Sequence, residues 1–418
     1  MTRPQPIRIT TPDEEAQWAP VWADVEAFEK IITRIRETFL ERDEMLDVIS
    51  LGLIGGVNGS VIGPPGTGKS KILETLSMAV EGFRFYYGRG TPCMTPEYVF
   101  GPISVAGLKD DDFRLANKVL PAPRAWAHQA HLALFDEGSR MPKEIWDSML
   151  SLLEEHEVTV GSNVYKAPLL FGMVATNEDL SEMQAAFDRF ALRCECRYVA
   201  DLDSRMQLHR FYSGYGTANE KLRDARPRPI ALDAIMRMRA AARQVEVPDD
   251  VLLAADEVQT DLKRRGIELS DRRCFPQTWA IVRASAILNR RKVASVDDLA
   301  PLALSYWTTQ EQKLEVRQIV GTKAATIAFE LESLYAQALS EGEKALRALN
   351  ANPPKTTQEL SKIGIDAATA LTVLGRKISA LKQGQNGKAI NPADEVRVAA
   401  TATKVDRLLV EVKKNLIK

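Results

Sequence analysis

Residues 61–70 read Val61-Ile62-Gly63-Pro64-Pro65-Gly66-Thr67-Gly68-Lys69-Ser70, an apolar strand end opening into a G-x4-G-K-S loop. After the loop, Ile72, Leu73, Leu76, Ala79 and Val80 fall on one face of an expected helix. A glycine-rich turn between a strand and a helix lets successive backbone N–H groups converge on phosphate oxygens. The helix N-terminus adds its positive dipole there. In such a loop Gly63, Pro64, Pro65, Gly66, Thr67 and Gly68 wrap a phosphate chain, and Lys69 reaches the β- and γ-phosphates. The Ser70 hydroxyl is then placed to ligate Mg²⁺, so the loop predicts a site for ATP with Mg²⁺.

Two more strand-like runs follow, Leu132 to Phe135 and Leu169 to Ala175, separated by an expected helix from Pro142 to Glu155. Pro142 suits a first helical turn because it has no N–H to leave unpaired. The first run, His131-Leu132-Ala133-Leu134-Phe135, ends in Asp136-Glu137. At the C-terminal edge of a parallel sheet such a pair can divide labour. Asp136 holds the metal through water, and Glu137 polarises the attacking water. The second run ends in Thr176-Asn177. If its strand lies between the other two, Asn177 can bond the γ-phosphate or the attacking water; otherwise it caps the next helix. Strands alternating with helices predict an α/β fold, a parallel sheet with helices on both faces.

Around this nucleus the chain divides into a loosely ordered arm (1–25), a nucleotide-binding domain (26–205), a helical domain (206–310) and a long-helix extension (311–418). Apolar positions from Phe28 to Ile54 recur at helical spacing. Amphipathic segments Ile235–Val245, Val251–Leu262, Thr278–Leu288 and Val296–Leu304 make up the helical domain. In the extension, Leu331 and Leu334, Leu371 to Leu381, and Val405 to Leu416 step by three and four, with breaks at Asn352-Pro353-Pro354 and Gly384 to Gly387.

Lys+Arg 55 against Asp+Glu 56 leaves a net charge of −1, which excludes a whole-chain basic field for nucleic acid or anionic membrane. No apolar run is long enough to span a bilayer, and the first residues lack a secretory pattern, so a cytoplasmic location is expected. Cys93, Cys194, Cys196 and Cys274 have neither disulfide-framework nor zinc-site spacing. The basic runs Lys263-Arg264-Arg265 and Arg290-Arg291-Lys292 read as solvated helix ends. His131, opening a buried strand, reads as structural.

The loop at 63–70, the Asp136-Glu137 pair, Ala175-Thr176-Asn177 and Asp188-Arg189-Phe190, in this order, resemble an AAA+ ATPase. Pro96 to Pro102, Phe135 to Pro142, Leu152 to Thr159 and Phe187 to Arg193 narrow the resemblance to the MoxR branch, most similar to the regulatory ATPase variant A (RavA) group. The resemblance covers residues 30–310. It implies an ATP-hydrolysing ring, a homo-hexamer, with chaperone-like action on a protein client. It further implies a von Willebrand factor A (vWA) domain protein as partner. Arg189 is the implied arginine finger, acting on a neighbour's γ-phosphate, and Arg193 a second candidate. Arg272, with Arg273 as fallback, is the implied sensor 2 arginine contacting the nucleotide. Residues 98–120 and 157–166 are expected hairpins. Gly138-Ser139 departs from the Ile-Asn common in the branch, and only the short Gly384–Asn391 connection stands where that group carries a β-rich insert. The alternatives are a nucleic-acid motor, disfavoured by the few charges between Glu157 and Lys166, and a nucleotide-gated scaffold.

Overall fold

The computed structural model describes residues 12–109, 112–116, 119–177, 188–214, 229–324, 327–349, 357–381 and 392–416. The chain forms two compact units, Met1–Gln312 and Lys313–Lys418.

In the first unit, α1 (Pro12–Thr38) and α2 (Asp43–Gly55) lead into β1 (Asn58–Ile62), the phosphate loop and α3 (Lys69–Met78). A short pair, β2 (Val80–Glu81) with the later β9 (Ile230–Ala231), stands apart from the main sheet. β3 (Phe85–Arg89), β4 (Leu132–Asp136), β7 (Phe171–Thr176) and β8 (Phe190–Glu195) join β1 in a parallel sheet of order β3-β4-β7-β1-β8. Every residue of β7 is buried, as expected of a central strand covered on both faces. One face carries α2, where the Phe171 ring lies over Gly52 and Gly59, beside Val48. The other carries α6 (Lys143–Glu154), whose Leu153 packs over Gly172. On this second face Phe135, Trp146, Met149, Val174 and Phe190 close a continuous core.

The expected helices of the helical domain appear as Leu232–Ala242, Asp249–Arg264 and Thr278–Leu288, followed by a 3₁₀ stretch over Val296–Leu304. Between Ser270 and Thr278 the chain takes a wide π-turn, Arg273–Gln277, around Pro276.

Several expectations need correction. The arm was expected to run through residue 25, but helix α1 starts at Pro12, with Val21 and Val25 buried; residues 1–11 lie outside the described residues. The Phe28–Ile54 periodicity is broken after Thr38, where Glu41 takes φ 58° and Arg42 turns inward. Val80 leaves the helix to pair with Ile230. Pro142 precedes the first turn of α6 instead of sitting in it. Residues 98–120 make no hairpin ladder among the described residues, only short helices α4 (Pro96–Phe100) and α5 (Val105–Lys109) and a single bridge, Ile103 to Leu115. The second expected hairpin does form, as β5 (Glu157–Val160) and β6 (Asn163–Lys166). Phe190–Glu195 is a buried strand that the sequence reading took only as part of the arginine box.

The second unit has three long helices, Ile327–Leu349, Thr357–Ala380 and Pro392–Leu416. Leu331, Leu334, Leu371, Leu374, Ile378, Leu381, Val405 and Val412 form its core, which is the stripe read from the sequence. Both expected helix breaks lie outside the described residues. Leu371 is fully buried in this core. Leu371→Ala should therefore cost about 2–5 kcal/mol of this unit's stability. Denaturant unfolding of the full chain measures that loss.

Candidate nucleotide site

Parallel pairing decides where each functional loop emerges. β7 bonds to β1 on one side and β4 on the other, so Asn177 leaves the sheet between the phosphate loop and Asp136-Glu137. This is the arrangement on which the Asn177 reading depended, and Asn177 is exposed there. Gly63 donates its N–H to the Thr176 carbonyl at 2.9 Å, fixing the start of the loop to the end of β7. A side chain at Gly63 would overlap the Cys196 carbonyl just past β8. Gly66 and Gly68 take φ of 78° and 85°, which side-chain-bearing residues rarely adopt.

The loop is braced from behind. Arg42, buried, donates to the Thr67 carbonyl at 2.9 Å, and the Thr67 hydroxyl donates to the Pro64 carbonyl at 3.1 Å. Lys69 opens α3 with its ammonium folded into the loop, 2.6 Å from the Gly63 carbonyl and 2.9 Å from that of Pro64. Burial holds the lysine below its usual pKa, while Asp136 pulls in the opposite direction. A buried cation whose contacts are neutral carbonyls is matched to an incoming polyphosphate. Ser70, the next residue of α3, and Asp136 supply one hydroxyl and one carboxylate. Such a donor set suits Mg²⁺, which takes few protein ligands and completes its shell with phosphates and water.

Asp136 accepts from the Tyr87 hydroxyl at 3.0 Å and from the Glu137 N–H at 3.1 Å. Burial first, and then Asp136, push the Tyr87 phenol up to about 12. Glu137 sits at φ 53°, which swings its side chain off the strand line. Its carboxylate is held by two arginines, Arg89 Nη2 at 2.6 Å and Arg140 Nη1 at 2.8 Å. These hydrogen bonds keep the carboxyl below its usual pKa. Arg89 is the register partner of Asp136 across β3 and β4. The sequence reading missed Arg42, Tyr87, Arg89 and Arg140. Only Arg140, three residues beyond Glu137, had a local spacing that could have revealed it.

The arginines form a separate group at the opposite sheet edge. Phe190 pairs with Asn58 and Glu195 with Ile62, so Arg189 precedes β8 at the end remote from the loop. At the rise of a strand, that is about 20 Å from Lys69's end of the sheet. Arg189 pairs with Glu154 at 2.9 Å, and Arg272 pairs with the same carboxylate. Arg273 is 4% exposed and bonds Asp188 at 3.0 Å, alongside Ser270. The structure therefore brings neither Arg272 nor Arg273 to the phosphate loop of its own chain, and Arg273 is enclosed. Arg193 is corrected outright. It lies within β8, fully buried, and donates to the Trp307 carbonyl, where no neighbouring nucleotide can meet it. His131 accepts the Arg84 N–H on Nδ1 at 3.0 Å and stacks on Phe83, a structural role.

Comparison with known proteins agrees with this geometry. Residues 26–239 match the bpMoxR family, described as the MoxR domain in the MoxR-vWA-beta-propeller ternary systems, and residues 250–320 match an AAA lid domain. Two uncharacterized proteins of Methanocaldococcus jannaschii are 24% identical over 77% of this chain and 78% of theirs, and 25% identical over 83% and 87%. Chaperone MoxR1 of Mycobacterium tuberculosis is 24% identical over 45% of this chain and 49% of its own. The crystal structure of a candidate ATPase from Cytophaga hutchinsonii superposes with a TM-score of 0.59 at 17% identity, over 75% of this chain and 97% of that one. The phosphate loop, the acidic strand end and the helical lid thus belong together, and the chain is a member of the MoxR family of AAA+ ATPases.

Proposed function

We propose that this protein binds ATP with Mg²⁺ and hydrolyses it in a homo-oligomeric ring, a hexamer, using the energy to remodel a protein partner. The observation that carries the reading is the division of residues between two sheet edges. Lys69, Ser70, Asp136, Glu137 and Asn177 gather at one edge, while Arg189 and Arg272 stand at the other. An arginine about 20 Å from its own phosphate loop can serve only a neighbour's. Copies stacked head to tail would place one chain's arginines against the next chain's nucleotide, and such a contact closes into a ring.

At that seam Lys69 and the loop would hold the phosphates, Asn177 would orient the attacking water, and Glu137 would take its proton. Mg²⁺ held by Ser70 and Asp136 would offset charge on the β- and γ-phosphates. Glu137 first has to exchange Arg89 and Arg140 for that water, so turnover depends on a rearrangement of these two exposed side chains. The same clamp is the one observation that favours the alternative of a slow, nucleotide-gated scaffold. Glu157 and Lys166 close the β5–β6 hairpin as a pair at 4.0 Å and leave no basic track along it, which weighs against a nucleic-acid motor.

The likeness to regulatory ATPase variant A rests on the motif run alone. The description of the matched family supports a vWA-domain protein, together with a β-propeller protein, as the setting of this chain, and we adopt it. No helix among the described residues is long and apolar enough to cross a membrane, which accords with action in the cytoplasm.

Glu137→Gln should retain ATP binding and lose about 100- to 10,000-fold in turnover; unchanged turnover would remove Glu137 from the mechanism. Arg189→Ala should bind ATP normally and not hydrolyse it. Mixing it with Lys69→Ala should restore about a quarter of wild-type activity, because only a seam joining an intact loop to an intact finger works. Absence of any recovery would count against a finger acting between chains. Arg89 helps hold the Glu137 carboxyl below its usual pKa. Arg89→Ala should therefore move the acid limb of the kcat–pH profile to higher pH, with the base protonating earlier as pH falls.

A further inference from the structure

A second cationic site lies in the first unit, at the sheet edge away from the phosphate loop. The C-terminal end of α2, helices Leu232–Ala242 and Thr278–Leu288, and the turn between α6 and β5 line an open pocket of about 400 Å³. Arg239, Arg243, Arg283 and His156 line it, with Trp279 and Ile54 as apolar walls, and no carboxylate is among its lining residues. None of the three arginines makes an ion pair among the described residues, whereas Arg36, Arg89, Arg237 and Arg291 each hold a carboxylate.

The site has the marks of a built one. Arg239 is anchored by Nη1, which donates to the Leu53 carbonyl at 2.6 Å and the Leu170 carbonyl at 3.0 Å. Burial, and secondarily Arg243, push its pKa down to about 10. His156 is held in the left-handed region at φ 56°, and burial and Arg239 keep it below its usual pKa. Its Nδ1 and the Nε of Arg283 are buried without a hydrogen-bond partner. Arg239 and Arg283 are half-buried and Arg243 is exposed at the rim, and neighbouring guanidiniums repel one another. An arrangement of this kind is relieved by a multivalent oxyanion, which each planar fork can grip through two N–H groups.

We propose that this pocket binds the phosphate group of a small molecule, at a site separate from the phosphate loop. A diphosphate carries enough negative charge to balance three arginines, which a single carboxylate does not. Gly56 lies just before β1 and Gly63 just after it, so the two sites stand about 20 Å apart along the strand direction.

The test is calorimetric titration of pyrophosphate, with equimolar Mg²⁺, into the full-length protein whose phosphate loop is saturated with ADP. The expected result is one saturable site per chain. Arg243→Gln and Arg283→Gln should each weaken it at least tenfold while leaving ADP affinity at the loop and unstimulated ATPase unchanged. Binding of a second ADP per chain, retained in Lys69→Ala, would assign the phosphate to a nucleotide; binding of pyrophosphate alone would assign it to free phosphates. No saturable binding in the wild-type protein, or the same affinity in both variants, would overturn the proposal. Neither result bears on ATP binding at Lys69, so the two readings stand or fall separately.

Discussion

The insertion of β7 between β1 and β4 is the constraint on which the rest of the molecule depends. In a parallel sheet all strands run the same way, so everything that follows a strand lies at one edge and everything that precedes it at the other. The phosphate loop, Asp136-Glu137 and Asn177 all follow strands. Arg189 precedes one. No local packing choice could bring the arginine to the loop of its own chain; strand direction forbids it.

Electrostatics then sets the resting condition of each edge. Lys69 rests on carbonyl oxygens in the field of Asp136, an arrangement receptive to phosphate. Glu137, by contrast, is oversupplied, with two guanidiniums on one carboxylate. The edge that carries the phosphate loop is thus asymmetric in charge. At the other edge Glu154 serves both Arg189 and Arg272, which keeps two cations close together, Arg272 exposed and Arg189 half-buried.

Much of this was legible in the sequence because the informative signals were local. The glycine loop, the apolar strand ending in Asp136-Glu137, and the leucine and valine stripes of the extension each fit within a short window. What escaped reading was set by pairing between distant segments. Arg89 matters because β3 lies beside β4 in register, and Arg42 because a turn closes at Glu41; neither has a sequence period. Arg193 was misassigned for a related reason. A continuously buried strand, Phe190–Glu195, looks in one dimension like a continuation of the polar arginine box, and only the sheet shows that the side chain is buried. The part of helix α1 before Phe28 escaped because prolines near the start suggest an arm, whereas Pro12 merely opens the helix and Pro20 is carried within it.

One stretch of chain ties the lid to the sheet at two places, and Arg239 ties it elsewhere. Arg193 holds the Trp307 carbonyl, and Asp188 holds Ser270 and Arg273. Arg239 of the lid's first helix holds the Leu53 and Leu170 carbonyls, and Ile230 pairs with Val80, so no single line beside β8 serves the lid as a hinge. Cys196, at the end of the same strand, forms the wall against which Gly63 is packed. Lid and phosphate loop are thus joined through one strand: whatever shifts β8 shifts both the wall behind Gly63 and the lid contacts of Asp188 and Arg193.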